Sequence, residues 1–291
     1  MAIGLGILAG LAMRLYLLRS DYRQYPSYPH GFISHLALGV VAAFIGAVAV
    51  PALLSGEFTA ATFLALAAQQ FREVRAMERT TLGNLESSEL VSRGPAYIEG
   101  IARVFEARNY LVIAVALLVS GGAALVTVEV GVAMGIVAFV AASFLVQQER
   151  MGEVAQVEPA PLSFDGPGLY VGDVFIMNVG LQASRRTILE HGLGAILAPK
   201  NDDARDTLAN DGQRQAILHD VSVVLGVRRD VDEPEFTPLM RRDLESGRLA
   251  LFIVPVEPDV ESLLRTVERV PVLESSRGRA LKAKAGRKAS D

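Results

Sequence analysis

The chain has no cysteine, which excludes a disulfide-built scaffold, zinc ribbons, thiol nucleophiles and iron–sulfur clusters. It also has little excess charge. A net charge of −4 and a pI near 5.7 lack the positive footprint of a general nucleic-acid binder, so no nucleic acid is expected as a partner. Charged residues make up 21% against 51% hydrophobic, with a mean hydropathy of +0.33, which argues against an ordinary soluble protein. Catalytic signatures are missing as well. No G-x-S-x-G elbow, H-E-x-x-H pair, P-loop or helix-opening G-x-G-x-x-G occurs, and no cofactor or metal is expected.

What is present is unevenly placed. Residues 1–150 hold long apolar runs with 10 basic and 10 acidic residues, whereas residues 151–291 hold 18 and 22. The first run, 2–18, has only Arg14 near its end and is followed by Ser20-Asp21-Tyr22-Arg23. With no basic stretch before it and no small-residue cleavage site after it, it reads as a retained helix. Runs follow at 32–54, 58–71, 110–128 and 131–146. The run at 58–71 covers roughly 21 Å as a helix, short of the roughly 30 Å hydrocarbon core; it spans if Gln69, Gln70, Arg72 and Arg75 snorkel to the headgroups, and is otherwise a re-entrant or interfacial helix.

Charge sets the orientation. The 19–31 loop carries Arg19 and Arg23, and the 72–109 loop carries six arginines, while Glu57 and Glu129 mark the opposite side. By the positive-inside rule the N-terminus lies outside, about five spans follow, and the C-terminal part lies in the cytoplasm. The predicted fold is a multi-pass α-helical membrane domain in the cytoplasmic membrane, followed by a small mixed α/β cytoplasmic domain. Gly6-x-x-x-Gly10 and Gly131-x-x-x-Gly135 put small residues on one face of their helices, as membrane helices often do. Self-association into a homo-oligomer stays open.

Two segments of this half are candidate interfaces. Residues 21–30 concentrate three of seven tyrosines with Pro26 and Pro29, so Tyr25, Tyr28 and His30 form either an aromatic belt or a docking loop. His35 lies one turn inside its span, and Asp21, His30 and His35 have no recognised metal spacing. Residues 95–109 read as an amphipathic helix lying in the membrane interface before turning into the fourth span. Ile98, Ile101 and Phe105 share one of its faces, and Glu99 precedes Arg103 by four.

Tyr97-Ile98-Glu99-Gly100-Ile101-Ala102 spells the hexapeptide of the YIEGIA family of membrane proteins from endospore-forming Firmicutes, which the chain resembles. Residues 14–31, 63–70 and Gly212-Gln213-Arg214-Gln215-Ala216-Ile217-Leu218-His219-Asp220 look similar too. The resemblance implies a link to sporulation and a small soluble capping partner. It makes Tyr97, Glu99 and Arg103 interface candidates beside the tyrosine loop. It carries no reaction.

Beyond a proline-containing linker at 151–162, residues 163–276 read as the α/β domain. Strands are expected at 169–179, 194–197, 249–256 and 270–273, with helices at 203–225, N-capped by Asp202, and at 260–268. Alternating elements favour a small mixed sheet. Gly172-Asp173 partly resembles the Gly-x-Gly-Asp signature of intramembrane aspartyl proteases, but Tyr170 replaces the first glycine. A two-carboxylate mechanism needs a partner, and Asp165 is the candidate if the fold brings it close. His219-Asp220 resembles the metal-binding dipeptide of phosphohydrolases, without the further ligands a metal needs, and Asp230, Asp232, Glu233 and Glu235 read as a solvated loop.

The tail, 277–291, places six basic residues in twelve positions and is expected to be disordered, docking on the acidic domain or the anionic leaflet. Two functions follow. One is a membrane-anchored regulatory protein presenting its α/β domain to a small partner. The other is a membrane protease using Asp173 with a second carboxylate.

Overall fold

The computed structural model describes residues 1–24, 31–87, 89–145, 149–230 and 233–277. Tyr25, Tyr28 and His30, like the tail from 278 on, lie outside the described residues. The chain forms two compact units, one of residues 1–82 and 101–148, the other of residues 83–100 and 149 onward.

The helical unit is built from α1 (Ala2–Gln24), α2 (Gly31–Leu54), α3 (Phe58–Gln69), α4 (Phe71–Glu86), α5 (Gly94–Leu125) and α6 (Val128–Leu145), with the ends of α4 and α5 passing into the other unit. Three of these helices are long and apolar enough to cross a membrane, over Ala2–Arg19, Gly31–Leu54 and Gly94–Leu125, and Val128–Phe144 is a shorter apolar helix. The 58–71 run becomes the 12-residue α3, about 18 Å long.

Small residues hold the unit together. A Cβ added at Gly6 would sit 2.8 Å from the Ala116 carbonyl oxygen and 2.9 Å from the Ala47 Cβ, and one at Gly10 would sit 2.7 Å from the Ala43 Cβ. The backbones of α1, α2 and α5 approach one another this closely because no side chain keeps them apart. Gly131 meets the Val119 carbonyl in the same way, at 2.7 Å. Ser120 closes the contact by donating to the Ala47 carbonyl at 2.5 Å. Both Gly-x-x-x-Gly pairs therefore lie at packing contacts.

Residues 95–109 run directly into the fourth apolar run. α5 is one helix of 32 residues. Within it the Asn109 side-chain amide donates to the Phe105 carbonyl one turn back at 3.1 Å.

The second unit adds α7 (Met151–Val154), β1 (Ala155–Pro159), β2 (Leu162–Asp165), β3 (Gly168–Val171), β4 (Val174–Asn178), α8 (Gln182–His191), β5 (Leu193–Pro199), α9 (Asp202–Ala209) and α10 (Asp211–Leu225). It continues with β6 (Arg229–Asp230), β7 (Glu233–Pro234), β8 (Leu239–Arg242), β9 (Leu249–Ile253) and α11 (Val260–Arg269). One sheet runs β1-β5-β9-β8, a second runs β2-β3-β4, and β6 pairs with β7. Every described pairing is antiparallel, where a mixed sheet was expected. Leu169, Val171 and Ile176 of the second sheet share a buried core with Ala250 and Phe252 of β9 and Ile188 of α8.

Several expected elements shift for local reasons. The linker at 151–162 is mostly α7 and the edge strand β1, which tolerates Pro159 at its end. The strand at 169–179 folds back as β3 and β4, because Gly172 adopts φ +59° and makes the turn. The helix at 203–225 is two helices. Asn201 caps α9 by accepting from the Ala204 N–H at 2.8 Å, and Asn210 caps α10 by accepting from the Gln213 N–H at 3.0 Å. Residues 270–273 make a single bridge, Arg150 to Pro271, because proline has no N–H for a ladder.

Candidate functional site

In the α/β unit, residues 91–97 pack on α10. Glu86 is buried and receives two bonds from Arg93: its Oε2 accepts the backbone N–H at 2.7 Å and its Oε1 the guanidinium at 2.5 Å. The same guanidinium stands 5.6 Å from the centre of the Tyr97 ring. Gly94 has φ +76°, and the Gln215 amide lies where its Cβ would be, so only glycine suits this entry to α5. Gly212 lets α10 touch the α5 backbone directly. A Cβ there would lie 3.1 Å from the Ala96 oxygen and 3.1 Å from both the Tyr97 nitrogen and Cα.

The stretch 212–220 thus has a position-by-position role. Gln213, fully buried, donates to the Pro271 carbonyl at 3.1 Å and accepts from the Leu273 N–H at 2.7 Å and the Ser276 hydroxyl at 3.1 Å, fixing the chain after α11. His219 Nδ1 donates to the Val91 carbonyl at 2.6 Å. Burial pushes the Asp220 carboxyl up, against the charges of His219 and Arg93, which pull it down. Beside these residues opens a cleft of about 510 Å³ lined by Arg93, His219, Asp220, Ser262, Arg265, Thr266 and Arg269, with Val223, Val224 and Val270.

The hexapeptide itself is largely interior. Tyr97, Ile98, Gly100, Ile101 and Ala102 are buried, Glu99 is half-buried and Arg103 is exposed. Tyr97 therefore presents little surface to a separate partner, and its ring serves the packing around Arg93.

The two aspartates of the protease reading are not brought together. Asp165 pairs with Gly168 at one end of β3, and Val171 pairs with Val174 at the other, next to Asp173. The strand between them keeps the carboxyls about 10 Å or more apart. Asp173 is 67% exposed and accepts from the Arg248 guanidinium at 2.6 Å, which holds its carboxyl below the usual range. That environment favours a permanently ionised surface group over a shared proton. Among the described residues, no three His, Cys, Asp or Glu side chains are grouped to hold a metal ion.

The helical unit has its own polar centre. Arg14, fully buried, pairs with Asp21 at 3.2 Å, donates to the His35 carbonyl at 3.2 Å and stands 5.4 Å from the Phe105 ring centre. Its stem fills the space a side chain at Gly39 would need. Arg108 pairs with the other Asp21 oxygen and donates to the Leu17 carbonyl at 3.1 Å. His35 Nε2 lies 3.1 Å from Glu78. Sequence reasoning singled out His35 but missed the Arg14–Asp21–Arg108 group. Its only signal was charge within or beside apolar runs.

The profile described as YIEGIA protein matches residues 2–283. The chain belongs to the YIEGIA family. It is 49% identical over 271 residues to the protein named Uncharacterized protein YphB of Bacillus subtilis (strain 168), covering 93% of this chain and 91% of that relative. No solved structure matches the chain.

Proposed function

We propose that the chain is a regulatory protein of the cytoplasmic membrane. A five-crossing helical anchor, N-terminus outside, carries a cytoplasmic α/β domain to which a small soluble partner binds. What supports this reading is a set of apolar helices followed by a folded α/β unit, within which the start of α5 packs on α10. The sporulation link is carried over from the family resemblance. Extracted in mild detergent from sporulating cells, the intact protein is expected to co-purify with a small soluble companion. Recovery of the protein alone overturns the regulatory reading.

The topology rests on loop charge. Arg19, Arg23, Arg72, Arg75 and Arg79 lie on one proposed side and Glu57 and Glu129 on the other, which supports a crossing by the short α3. Because the chain has no cysteine, a single introduced one is a unique reporter. Glu57→Cys and Glu129→Cys are expected to react with a membrane-impermeant maleimide in intact cells. Gly83→Cys and Ser246→Cys are expected to react only after permeabilisation. Reaction of Glu129→Cys only after permeabilisation overturns the five-span count.

A further inference from the structure

The cleft beside His219 has a chemistry that partner docking does not account for. On α11, Ser262, Arg265, Thr266 and Arg269 recur at positions three and four apart, so they form one stripe along the cleft wall, while Leu263 and Val267 on the opposite face are buried in the domain. Across from them, α10 supplies His219, Asp220, Val223 and Val224. Arg93 closes the third side, its guanidinium fixed by Glu86 and the Tyr97 ring. We propose that this cleft binds a small phosphate-bearing ligand, with Arg93, Arg265 and Arg269 as its cationic contacts and Ser262 and Thr266 as hydroxyl contacts.

The charge of the wall favours an anion. Three guanidiniums line it against one carboxylate, Asp220. Arg93 is balanced by Glu86, and Arg265 is bonded to Glu261 one turn back on α11. Arg269 has no described ion-pair partner and projects from the last turn of α11. All the cationic groups are arginines, whose planar forks pair with phosphate oxygens two at a time. The volume lies within the usual range for a small-molecule site, and the exposed Val223 and Val224 offer an apolar surface for the part of the ligand that carries no charge. The phosphate can belong to a soluble metabolite or to a phospholipid headgroup.

The absence of cysteine supplies the assay. Val224→Cys, at a side chain 59% exposed on the cleft lining, reports occupancy by its rate of reaction with a maleimide. Leu244→Cys, exposed and outside the lining, is the control. With the full chain in phosphatidylcholine nanodiscs, saturating inorganic pyrophosphate is expected to slow Val224→Cys at least about fivefold and leave Leu244→Cys unchanged. Adding Arg269→Gln is expected to raise the pyrophosphate concentration needed by about tenfold, as loss of one charge-assisted contact predicts. A second arm replaces pyrophosphate with nanodiscs containing phosphatidic acid. Protection by pyrophosphate assigns a soluble ligand, and protection by phosphatidic acid assigns a headgroup. No protection in either arm, equal protection of Leu244→Cys, or protection unchanged by Arg269→Gln overturns the site.

Discussion

Replacing Asp21 with alanine is expected to destabilise the helical unit by about 3–5 kcal/mol, the usual cost of removing one partner from a buried ion group. The carboxylate is 3% exposed and is shared by two guanidiniums, Arg14 and Arg108, themselves almost wholly buried. Its loss leaves both positive charges inside, near each other, without the negative charge that lies between them. The carbonyls of His35 and Leu17 can still accept from them but cannot neutralise them. Asp21→Asn keeps the shape and loses the charge, so its cost should fall close to that of alanine. The decisive comparison is Arg14→Met combined with Asp21→Ala and Arg108→Met. Removing all three charges together should cost less than removing Asp21 alone, because no uncompensated ion remains. Retention of the monodisperse protein after heating in detergent measures the order. If Asp21→Ala survives heating as well as the unaltered chain, the cluster does not hold α1, α2 and α5 together.

The apolar helices were legible because a long run of uncharged residues has few other stable states in water or lipid. Side-chain pairing across the fold was not. Asp173 meets Arg248 seventy-five residues away, while Asp165, only eight residues from Asp173, lies at the other end of β3. Spacing along the chain does not predict either distance. The break in the long helix had a readable signal: Asn-Asp occurs at 201–202 and again at 210–211, and each asparagine caps a helix. Apolar periodicity through Leu208, Ala216 and Ile217 masked the second one. For residues 95–109 the apolar face was readable but not what covers it. Lipid and a protein surface make the same demand of a helix: Ala96 and Tyr97 lie against Gly212 of α10, and Phe105 lies against Arg14 and His35.

Gly212→Val tests that contact. Helix propensity alone favours the substitution by a few tenths of a kcal/mol, since glycine is a poor helix former. The packing opposes it more strongly. The new Cβ would meet three backbone atoms of Ala96 and Tyr97 at 3.1 Å, and the two methyls beyond it have no flexible side chain to displace. Overpacking of this kind costs about 1–3 kcal/mol, occasionally more, so a net loss of about 2 kcal/mol is expected in the α/β unit. Gly212→Ala separates the two terms. Its single Cβ needs a shift of a few tenths of an ångström, and its propensity gain of about 1 kcal/mol offsets much of that cost. Alanine should therefore be close to neutral and valine clearly destabilising. Limited proteolysis reads the consequence locally: in the valine variant, cleavage within 83–93 should speed up relative to cleavage elsewhere, because that segment loses its seat on α10. Equal cleavage rates in the two variants would mean that α10 is not what orders the start of α5.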